Sequence, residues 1–159
     1  MIDSSREATV SLPSGHEILI TRSFNAPPQT VFDAWTKPEH LAQWWDPSRR
    51  PLAQCEIDLR PGGAFRFEHQ KSANGPGHVF AGVYREVDPP ARLVFATPSP
   101  SGGKTIGTLE FRHEGGATTL VMTMSCQSAA DRDALLRMRV DAGTVRSLEN
   151  LNEFLEASA

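Results

Sequence analysis

Residues 131–157, with the sequence DRDALLRMRVDAGTVRSLENLNEFLEA, decide the fold class of this chain. They contain no proline, and their apolar residues recur every three or four positions, which is typical of an amphipathic helix. The pattern predicts a helix about 40 Å long. Gly143 interrupts it, either because the helix packs closely against a strand or because a ligand needs the space. The predicted buried stripe consists of Leu135, Met138, Asp141, Val145, Leu148, Leu151 and Leu155.

Upstream of this helix the period of the apolar residues changes to two. Between residues 53 and 126, short alternating runs are separated by turn residues, such as those at 61–63, 74–77 and 88–90. Each connection is too short for a parallel crossover, so the pattern predicts an antiparallel meander. Its six predicted strands are Gln54–Leu59, Gly63–His69, Val79–Val87, Arg92–Thr97, Thr105–His113 and Thr118–Cys126.

A further strand and two short helices precede the meander. Alternation over Glu17–Phe24 predicts the first strand, which brings the total to seven. Pro28 can occupy the first turn of a helix, where its missing backbone donor costs nothing, and apolar residues follow it at helical spacing. Pro38 then marks the boundary before a second short helix, Glu39–Trp45.

These elements predict one α+β domain over residues 17–159, preceded by an N-terminal tail over residues 1–16. A curved, seven-stranded antiparallel sheet carries the two short helices after its first strand and the long C-terminal helix across its concave face. An antiparallel sheet needs its apolar face covered, and the final helix is long enough to cover it. A bent sheet and a straight helix cannot close everywhere, so we expect an apolar cavity between them.

Composition and charge exclude several classes of function. The 159 residues carry a net charge of -3 with acids and bases interspersed, whereas a nucleic-acid surface needs a concentrated basic stripe. No stretch approaches the roughly 20 apolar residues that cross a bilayer, and residues 1–14 contain no signal-peptide core. Cys55, Cys126 and the histidines have no metal-site spacing. We therefore expect a cytoplasmic protein with reduced thiols that needs no metal or organic cofactor.

Four segments of the chain carry a resemblance to a known family. They are FNAPPQTVFDAWTKPEHLAQWW at residues 24–45, DLRPGG at 58–63, GVYREVDPPARLVF at 82–95, and the closing helix at 143–155. In this order they resemble the SRPBCC (START-like, helix-grip) superfamily. Within it, the chain is similar to the branch named after the activator of the heat shock protein 90 ATPase. The resemblance covers nearly the whole chain from Ile18 onward.

The resemblance implies a helix-grip fold with a hydrophobic cavity, but it does not imply one activity. The superfamily includes lipid carriers, hormone receptors, polyketide aromatases and cyclases, and co-chaperone domains. Two positions depart from the pattern. Many relatives carry an aromatic residue or methionine where this chain has Thr144, and a histidine where it has Met124. Both positions belong to the presumed cavity, so the ligand of a relative does not transfer to this chain.

Strand alternation indicates which side chains face the predicted cavity. The face of Val79–Val87 is ambiguous, and we favour Phe80, Gly82 and Tyr84 inward, because a glycine between two aromatic residues makes room for a ligand. Methionines on the last strand suit an adaptable pocket, and Trp45, at the end of a helix, is the candidate for the cavity entrance. The alternative is an ordinary core layer. The predicted ligand-binding residues are Trp45, Phe67, Phe80, Gly82, Tyr84, Phe95, Phe111, Met122, Met124, Thr144 and Leu148.

Three classes of function remain. The first, for which a cavity suffices, is a binding protein for a small hydrophobic molecule, with a homodimer left open. The second is a cyclase, aromatase or hydrolase, in which Tyr84 and Glu86 on one strand face serve as acid and base; the alternative is that Glu86 faces water near Arg85 or Arg92. The third is a co-chaperone-like protein-interaction domain, which needs an exposed patch. No catalytic residue is assigned.

Overall fold

A single antiparallel sheet of eight strands organises the part of the chain that is described. The computed structural model describes residues 7–71, 75 and 77–158. The strands are β1 (Thr9–Ser11), β2 (Glu17–Phe24), β3 (Gln54–Ile57), β4 (Ala64–Glu68), β5 (Val79–Asp88), β6 (Arg92–Pro98), β7 (Lys104–Glu114) and β8 (Ala117–Ser125). The helices are α1 (Pro28–Thr36), α2 (Pro38–Trp44), α3 (Ala129–Arg137) and α4 (Val140–Ser158). The strand order across the sheet is β1-β2-β8-β7-β6-β5-β4-β3.

The sheet confirms the antiparallel meander and adds one strand to the seven predicted. Each meander strand begins and ends within two residues of its predicted bounds. The added strand, β1, lies in the predicted N-terminal tail and pairs with β2, with Val10 opposite Ile20. Sequence alternation missed it because three residues are too few to establish a period of two.

The buried face of the sheet lies under the helices. In β2 the burial alternates residue by residue, and Ile18 and Ile20 are fully enclosed. They belong to the same apolar cluster as Leu148, Leu151 and Leu155 of α4, which shows that the final helix packs on the sheet as the helix-grip fold requires. Helix α4 also packs against α1 and α2. The buried face thus contacts both the helical insertion after β2 and the C-terminal helix.

The C-terminal helical region differs from the one continuous helix that the sequence predicts over residues 131–157. Helix α3 begins after Ser128, whose hydroxyl accepts a hydrogen bond from the backbone N–H of Asp131. It ends before Arg139, whose positive φ of 60° places the backbone outside the helical region. Helix α4 then starts at Val140. Met138, placed by the stripe in the core, is instead 63% exposed, because the break turns it away from the sheet.

Replacing Gly143 by alanine should stabilise the protein by about 0.5–1 kcal/mol, the usual gain from removing a glycine inside a helix. A Cβ atom at this position meets only Cγ of Pro47, at 3.8 Å, which is an ordinary van der Waals contact. No strand approaches closely, so the close-packing explanation for this glycine is wrong. Urea unfolding of the Gly143→Ala variant measures the change, and a loss of stability would contradict the expectation.

Candidate functional site

A narrow apolar cleft lies between the helical insertion and the sheet. Its volume is about 20 Å³, which is close to the space that one buried water needs. Trp35 of α1 and Trp45, just after α2, form one wall, and strands β4 to β7 form the other. We call it the aromatic cleft, lined by Trp35, Trp45, Phe65, Phe67, Phe80, Tyr84, Leu93, Phe95 and Leu109. No residue of α4 lines it, so it differs from the space predicted between the sheet and the C-terminal helix.

Ring packing explains why the aromatic cleft is narrow. The Phe65 ring lies 5.1 Å from the rings of both Phe67 and Tyr84, and 5.4 Å from Phe95, measured between centroids. Trp45 covers the other side, 5.0 Å from Phe67 and 5.3 Å from Phe80. These separations are typical of favourable tilted and edge-to-face aromatic pairs. The rings therefore fill most of the space between the two walls of the aromatic cleft.

Two glycines of the sheet make room for these rings rather than for a ligand. A Cβ atom on Gly82 would lie 2.6 Å from the Phe65 ring and 2.4 Å from the carbonyl oxygen of Ala96. A Cβ atom on Gly107 would lie 2.3 Å from the Phe95 ring. All three distances are far below van der Waals contact. The predicted gap at Gly82 is thus occupied by Phe65.

Two polar groups on the walls of the aromatic cleft lack hydrogen-bond partners in the described part of the chain. The indole Nε1 of Trp35 is buried and has no acceptor, whereas the neighbouring Trp44 donates its Nε1 hydrogen to the carbonyl of Ala34 at 3.0 Å. The Tyr84 residue is only 3% exposed, and its hydroxyl makes no hydrogen bond within residues 7–71, 75 and 77–158. Burial raises the pKa of Tyr84 well above its usual range, so its hydroxyl remains neutral.

The rim of the aromatic cleft beside Trp45 is polar and tightly bonded. The buried Asp46 carboxylate lies 3.0 Å from Nδ1 of His69 and accepts hydrogen bonds from the backbone and the hydroxyl of Ser48. Burial raises the pKa of Asp46, but the hydrogen bonds from Ser48 and the contact with His69 outweigh that effect, and the pKa is lowered overall. The pair fastens the end of β4 to the loop after α2.

Helix α4 holds the backbone of this rim from the other side. The amide of buried Asn150 donates to the carbonyl of Asp46 at 2.9 Å and lies 3.4 Å from the carbonyl of Trp44. The hydroxyl of Ser147 donates to the carbonyl of Trp45 at 2.6 Å. The Trp45 backbone is therefore fixed by hydrogen bonds, while its ring is held by aromatic contacts.

The structure brings together five of the predicted ligand-binding residues and leaves six outside the aromatic cleft. Those on its walls are Trp45, Phe67, Phe80, Tyr84 and Phe95. Those outside it are Gly82, Phe111, Met122, Met124, Thr144 and Leu148. Four further lining residues were not among the predicted ligand-binding residues, although the strand or helix face on which they lie was the signal that could have identified them: Trp35, Phe65, Leu93 and Leu109.

The residues outside the aromatic cleft serve other contacts. The Phe111 ring packs edge-to-face on Phe32 of α1, 5.3 Å away, and Met122 and Leu148 belong to the buried core. Thr144 donates its hydroxyl hydrogen to the carbonyl of Val140 within α4. Met124 lies half-buried against the core, opposite Gly107 on β7.

The predicted acid–base pair of Tyr84 and Glu86 is not formed. A bulge lies between these residues, so Tyr84 pairs with Phe95 while Glu86 pairs with Val94. The irregularity reverses the alternation, because one extra residue turns the following side chain to the other face. Glu86 is exposed and accepts a hydrogen bond from Nε of Arg92, which is the alternative that the sequence left open.

Burial raises the pKa of the Cys55 thiol to about 11, and the carboxylates of Glu39 and Glu56 add to the rise. The folded state therefore favours the neutral thiol. The contribution of Cys55 to the stability of the folded protein is complete below the ordinary thiol pKa of about 8.5 and is lost as the pH rises toward 11. We expect alkylation of Cys55 by iodoacetamide at pH 8.5 to be about tenfold slower than in urea, because higher intrinsic nucleophilicity offsets part of the lost thiolate. Peptide mass spectrometry measures both rates, and equal rates would contradict the prediction.

Two other features are absent from the part of the chain that the structure describes. The described residues contain no cluster of histidine, cysteine, aspartate or glutamate that could hold a metal ion. Within the same residues, no helix is both long enough and apolar enough to span a bilayer.

An eight-stranded antiparallel sheet with a helical insertion and a C-terminal helix packed on it defines a helix-grip protein. A family model described as "Activator of Hsp90 ATPase homolog 1-like protein" matches residues 25–156, and the chain belongs to this family. The helix-grip fold commonly binds hydrophobic ligands. No curated protein matches the chain.

Solved structures with the same fold cover almost the entire chain. A protein from Rhodobacter sphaeroides superposes with a TM-score of 0.85 at 24% identity, covering 95% of this chain and 99% of that one. A protein from Nitrosomonas europaea gives 0.82 at 21% identity, with coverages of 92% and 98%. A third, from Mycobacterium smegmatis, gives 0.80 at 21% identity, with coverages of 96% and 98%. At these identities the likeness shows the fold alone.

Proposed function

We propose that this protein binds a small, mainly apolar molecule in the aromatic cleft. The observation that carries the proposal is the convergence of seven aromatic side chains on one narrow space, three of which, Trp45, Phe80 and Phe95, are only half-buried. Ligand pockets are lined mainly by apolar and aromatic side chains. A partly open aromatic wall is where a hydrophobic ligand gains most from leaving water.

Binding requires the aromatic cleft to widen. A small-molecule pocket usually measures about 300–1,000 Å³, far above the present 20 Å³. The Trp45 and Phe80 rings are the groups that can move, because both are half-buried and contact each other across 5.3 Å. The hydrogen bonds from Ser147 and Asn150 keep the backbone beside Trp45 in place. Rotation of these two side chains opens the site without moving an element of the fold.

The Phe80→Ala variant tests the proposal with the neutral, environment-sensitive dye N-phenylnaphthylamine. Wild-type protein should bind the dye with a gain in fluorescence. Removing the Phe80 ring should increase the affinity about tenfold, because the ligand no longer has to displace ring contacts that cost about 1–2 kcal/mol. A fluorescence titration measures both dissociation constants.

A matched control comes from the side of α4 that contacts α2. Phe154 is also half-buried, and its ring contacts His40 at 5.4 Å, outside the aromatic cleft. The Phe154→Ala variant should bind the dye as the wild-type protein does. No dye binding by either wild type or Phe80→Ala would overturn the proposal and favour the co-chaperone-like alternative. An equal increase in Phe154→Ala would show that the dye reports loosening rather than the site.

The proposal includes the cellular compartment of the protein and the kind of ligand that it binds there. We place the protein in the cytoplasm, where Cys55 and the buried Cys126 remain free thiols. The ligand is a small molecule rather than a nucleic acid, in keeping with a net charge of -3. Binding rather than catalysis is the proposed activity, and a homodimer is compatible with it because the aromatic cleft belongs to one chain.

A further inference from the structure

The outer edge of β1 is open in the part of the chain that the structure describes. β1 lies at one end of the strand order and β3 at the other, so each has only one neighbouring strand. Val10, in the middle of β1, is 42% exposed, and Leu12, just after it, is 49% exposed. An open edge presents unpaired backbone N–H and C=O groups, which can pair with a strand of another chain.

The hydrogen bonds of β2 determine which backbone groups of β1 face outward. Cys126, just after β8, donates its backbone N–H to the carbonyl of His16 at 2.8 Å. This pair continues the ladder of β2 and β8 by one residue. Because backbone hydrogen bonds alternate between the two sides of a strand, the even-numbered residues of β2 bond to β8. The backbone groups of Leu19 and Thr21 therefore face β1.

The same alternation turns the backbone of Val10 away from β2. Thr9 lies opposite Thr21 on β2. Ser11 lies opposite Leu19. Thr9 and Ser11 therefore form the hydrogen-bonded pairs with β2, and the N–H and C=O of Val10, which lies between them, point to the open edge.

The side chains of this edge extend the buried apolar face of the sheet. Val10 lies opposite Ile20, and residues opposite each other in a pair of strands point to the same face. Ile20 is fully enclosed under the helices, and Ala8 packs against the same core. Val10 thus continues the apolar face beyond β2, where it remains exposed.

The opposite edge of the sheet carries charges that β1 lacks. β3 includes Glu56 and is followed by Asp58, and helix α2 packs against it. Charged residues on an edge strand oppose pairing with another strand. Residues 8–12, with the sequence ATVSL, carry no charge. Since the whole chain has a net charge of -3, this segment lets two copies approach without a contact between like charges.

We propose that β1 pairs antiparallel with β1 of a second copy of this chain, about a two-fold axis at Val10. The N–H and C=O of Val10 then bond to the C=O and N–H of the same residue in the second copy. Ala8 lies opposite Leu12 of the other copy, so the segment is complementary to itself, as a two-fold interface requires. Pro13 has no N–H and ends the pairing. The two sheets become one continuous sheet.

The proposed dimer leaves the aromatic cleft of each copy free. Strands β2 and β8 separate β1 from the strands β4 to β7 that line the cleft. The inference therefore does not depend on the proposed function. Loss of self-association should leave the affinity for N-phenylnaphthylamine unchanged.

The Val10→Pro variant tests the proposal. Proline removes the N–H that faces the open edge and none that bonds to β2, and an edge strand tolerates proline at such a position. In sedimentation velocity, the wild-type protein should show a monomer–dimer equilibrium. One short pair of strands gives a small, weak interface, so the dimer should form as the concentration rises toward about 1 mM. The variant should stay monomeric with an unchanged melting temperature, and a wild-type protein that stays monomeric throughout would overturn the proposal.

A second variant keeps every backbone hydrogen bond of β1. Val10→Lys puts two like charges across the axis and should weaken dimerisation by about tenfold or more. The control is Val83→Lys, because Val83 is 43% exposed but lies on β5, which has a neighbouring strand on both sides. It should dimerise as the wild-type protein does. Equal weakening by the two lysines, or a dimer that survives both Val10 substitutions, would overturn the proposal, because the copies would then associate through another surface.

The register of the two strands is tested by NMR on a mixed sample of ¹³C-labelled and unlabelled protein. Thr9 and Ser11 of the other copy form a non-hydrogen-bonded pair, in which the Cα atoms lie about 4.5 Å apart. An isotope-filtered spectrum should therefore show a contact between the Hα atoms of these two residues. A dimer without this contact would contradict the proposed pairing.

Discussion

Phe65→Ala should reduce the free energy of unfolding by about 3–5 kcal/mol, the usual cost of removing a buried phenylalanine ring. Phe65 is 3% exposed and its ring contacts those of Phe67, Phe80, Tyr84 and Phe95. Its partner in the sheet, Gly82, has no side chain that could fill the hole. The cavity therefore cannot collapse easily, and the loss should lie toward the upper end of the range.

Urea unfolding and thermal unfolding measure this effect. In a chain of this length the melting temperature should fall on the order of 10 °C. The variant should also bind benzene, because a dry apolar cavity of that size accepts it. Phe154→Ala is the control, since it removes the same ring from a half-buried position on α4 and should cost about 1 kcal/mol. Equal losses of unfolding free energy in the two variants would contradict the conclusion that the Phe65 ring is central to the packing of the aromatic cleft.

Asn150→Ala should cost about 2 kcal/mol of stability, because it removes the buried donor shared by two backbone carbonyls of the rim. The amide lies 2.9 Å from the carbonyl oxygen of Asp46 and 3.4 Å from that of Trp44, and Asn150 is 7% exposed. Without it, the carbonyls of Trp44 and Asp46 lose a partner at a site where water has little access. The variant should also bind N-phenylnaphthylamine faster, because the Trp45 backbone is less firmly held.

A control for Asn150 lies two residues along the same helix. Asn152 donates to Glu156 on the exposed side of α4, so Asn152→Ala should change stability by less than about 0.5 kcal/mol. Chemical denaturation measures both free energies, and stopped-flow fluorescence measures dye association. An Asn150→Ala variant as stable as Asn152→Ala would show that the rim carbonyls are satisfied in another way.

The sequence was sufficient for the strands because their signal is local. Alternation between Gln54 and Ser125, punctuated by glycine and proline turns, reproduces the bounds of six strands within two residues. The same logic placed Phe67, Phe80, Tyr84 and Phe95 on one face of the sheet. A side chain's face depends on its parity in the strand, and parity can be counted from the sequence.

The features that the sequence missed depend on contacts between distant segments. The bulge after Tyr84 changes parity without an unusual residue to mark it, so simple alternation puts Glu86 on the face of Tyr84, whereas the structure bears out the water-facing alternative. The break at Arg139 divides a stripe that continues in helical phase on both sides. The width of the aromatic cleft follows from how the Phe65 ring enters the space beside Gly82. Packing decides these outcomes, and no local pattern encodes them.

The most direct test of the central claim uses the three tryptophans of the chain, labelled as 5-fluorotryptophan and observed by ¹⁹F NMR. Trp35 and Trp45 line the aromatic cleft, whereas Trp44 does not, so one side chain of the cluster serves as an internal control. Single Trp→Phe variants assign the signals. Saturation with N-phenylnaphthylamine should shift the resonances of Trp35 and Trp45 strongly and that of Trp44 weakly. Unchanged Trp35 and Trp45 signals at saturation would contradict the account, because the ligand would then lie elsewhere on the protein.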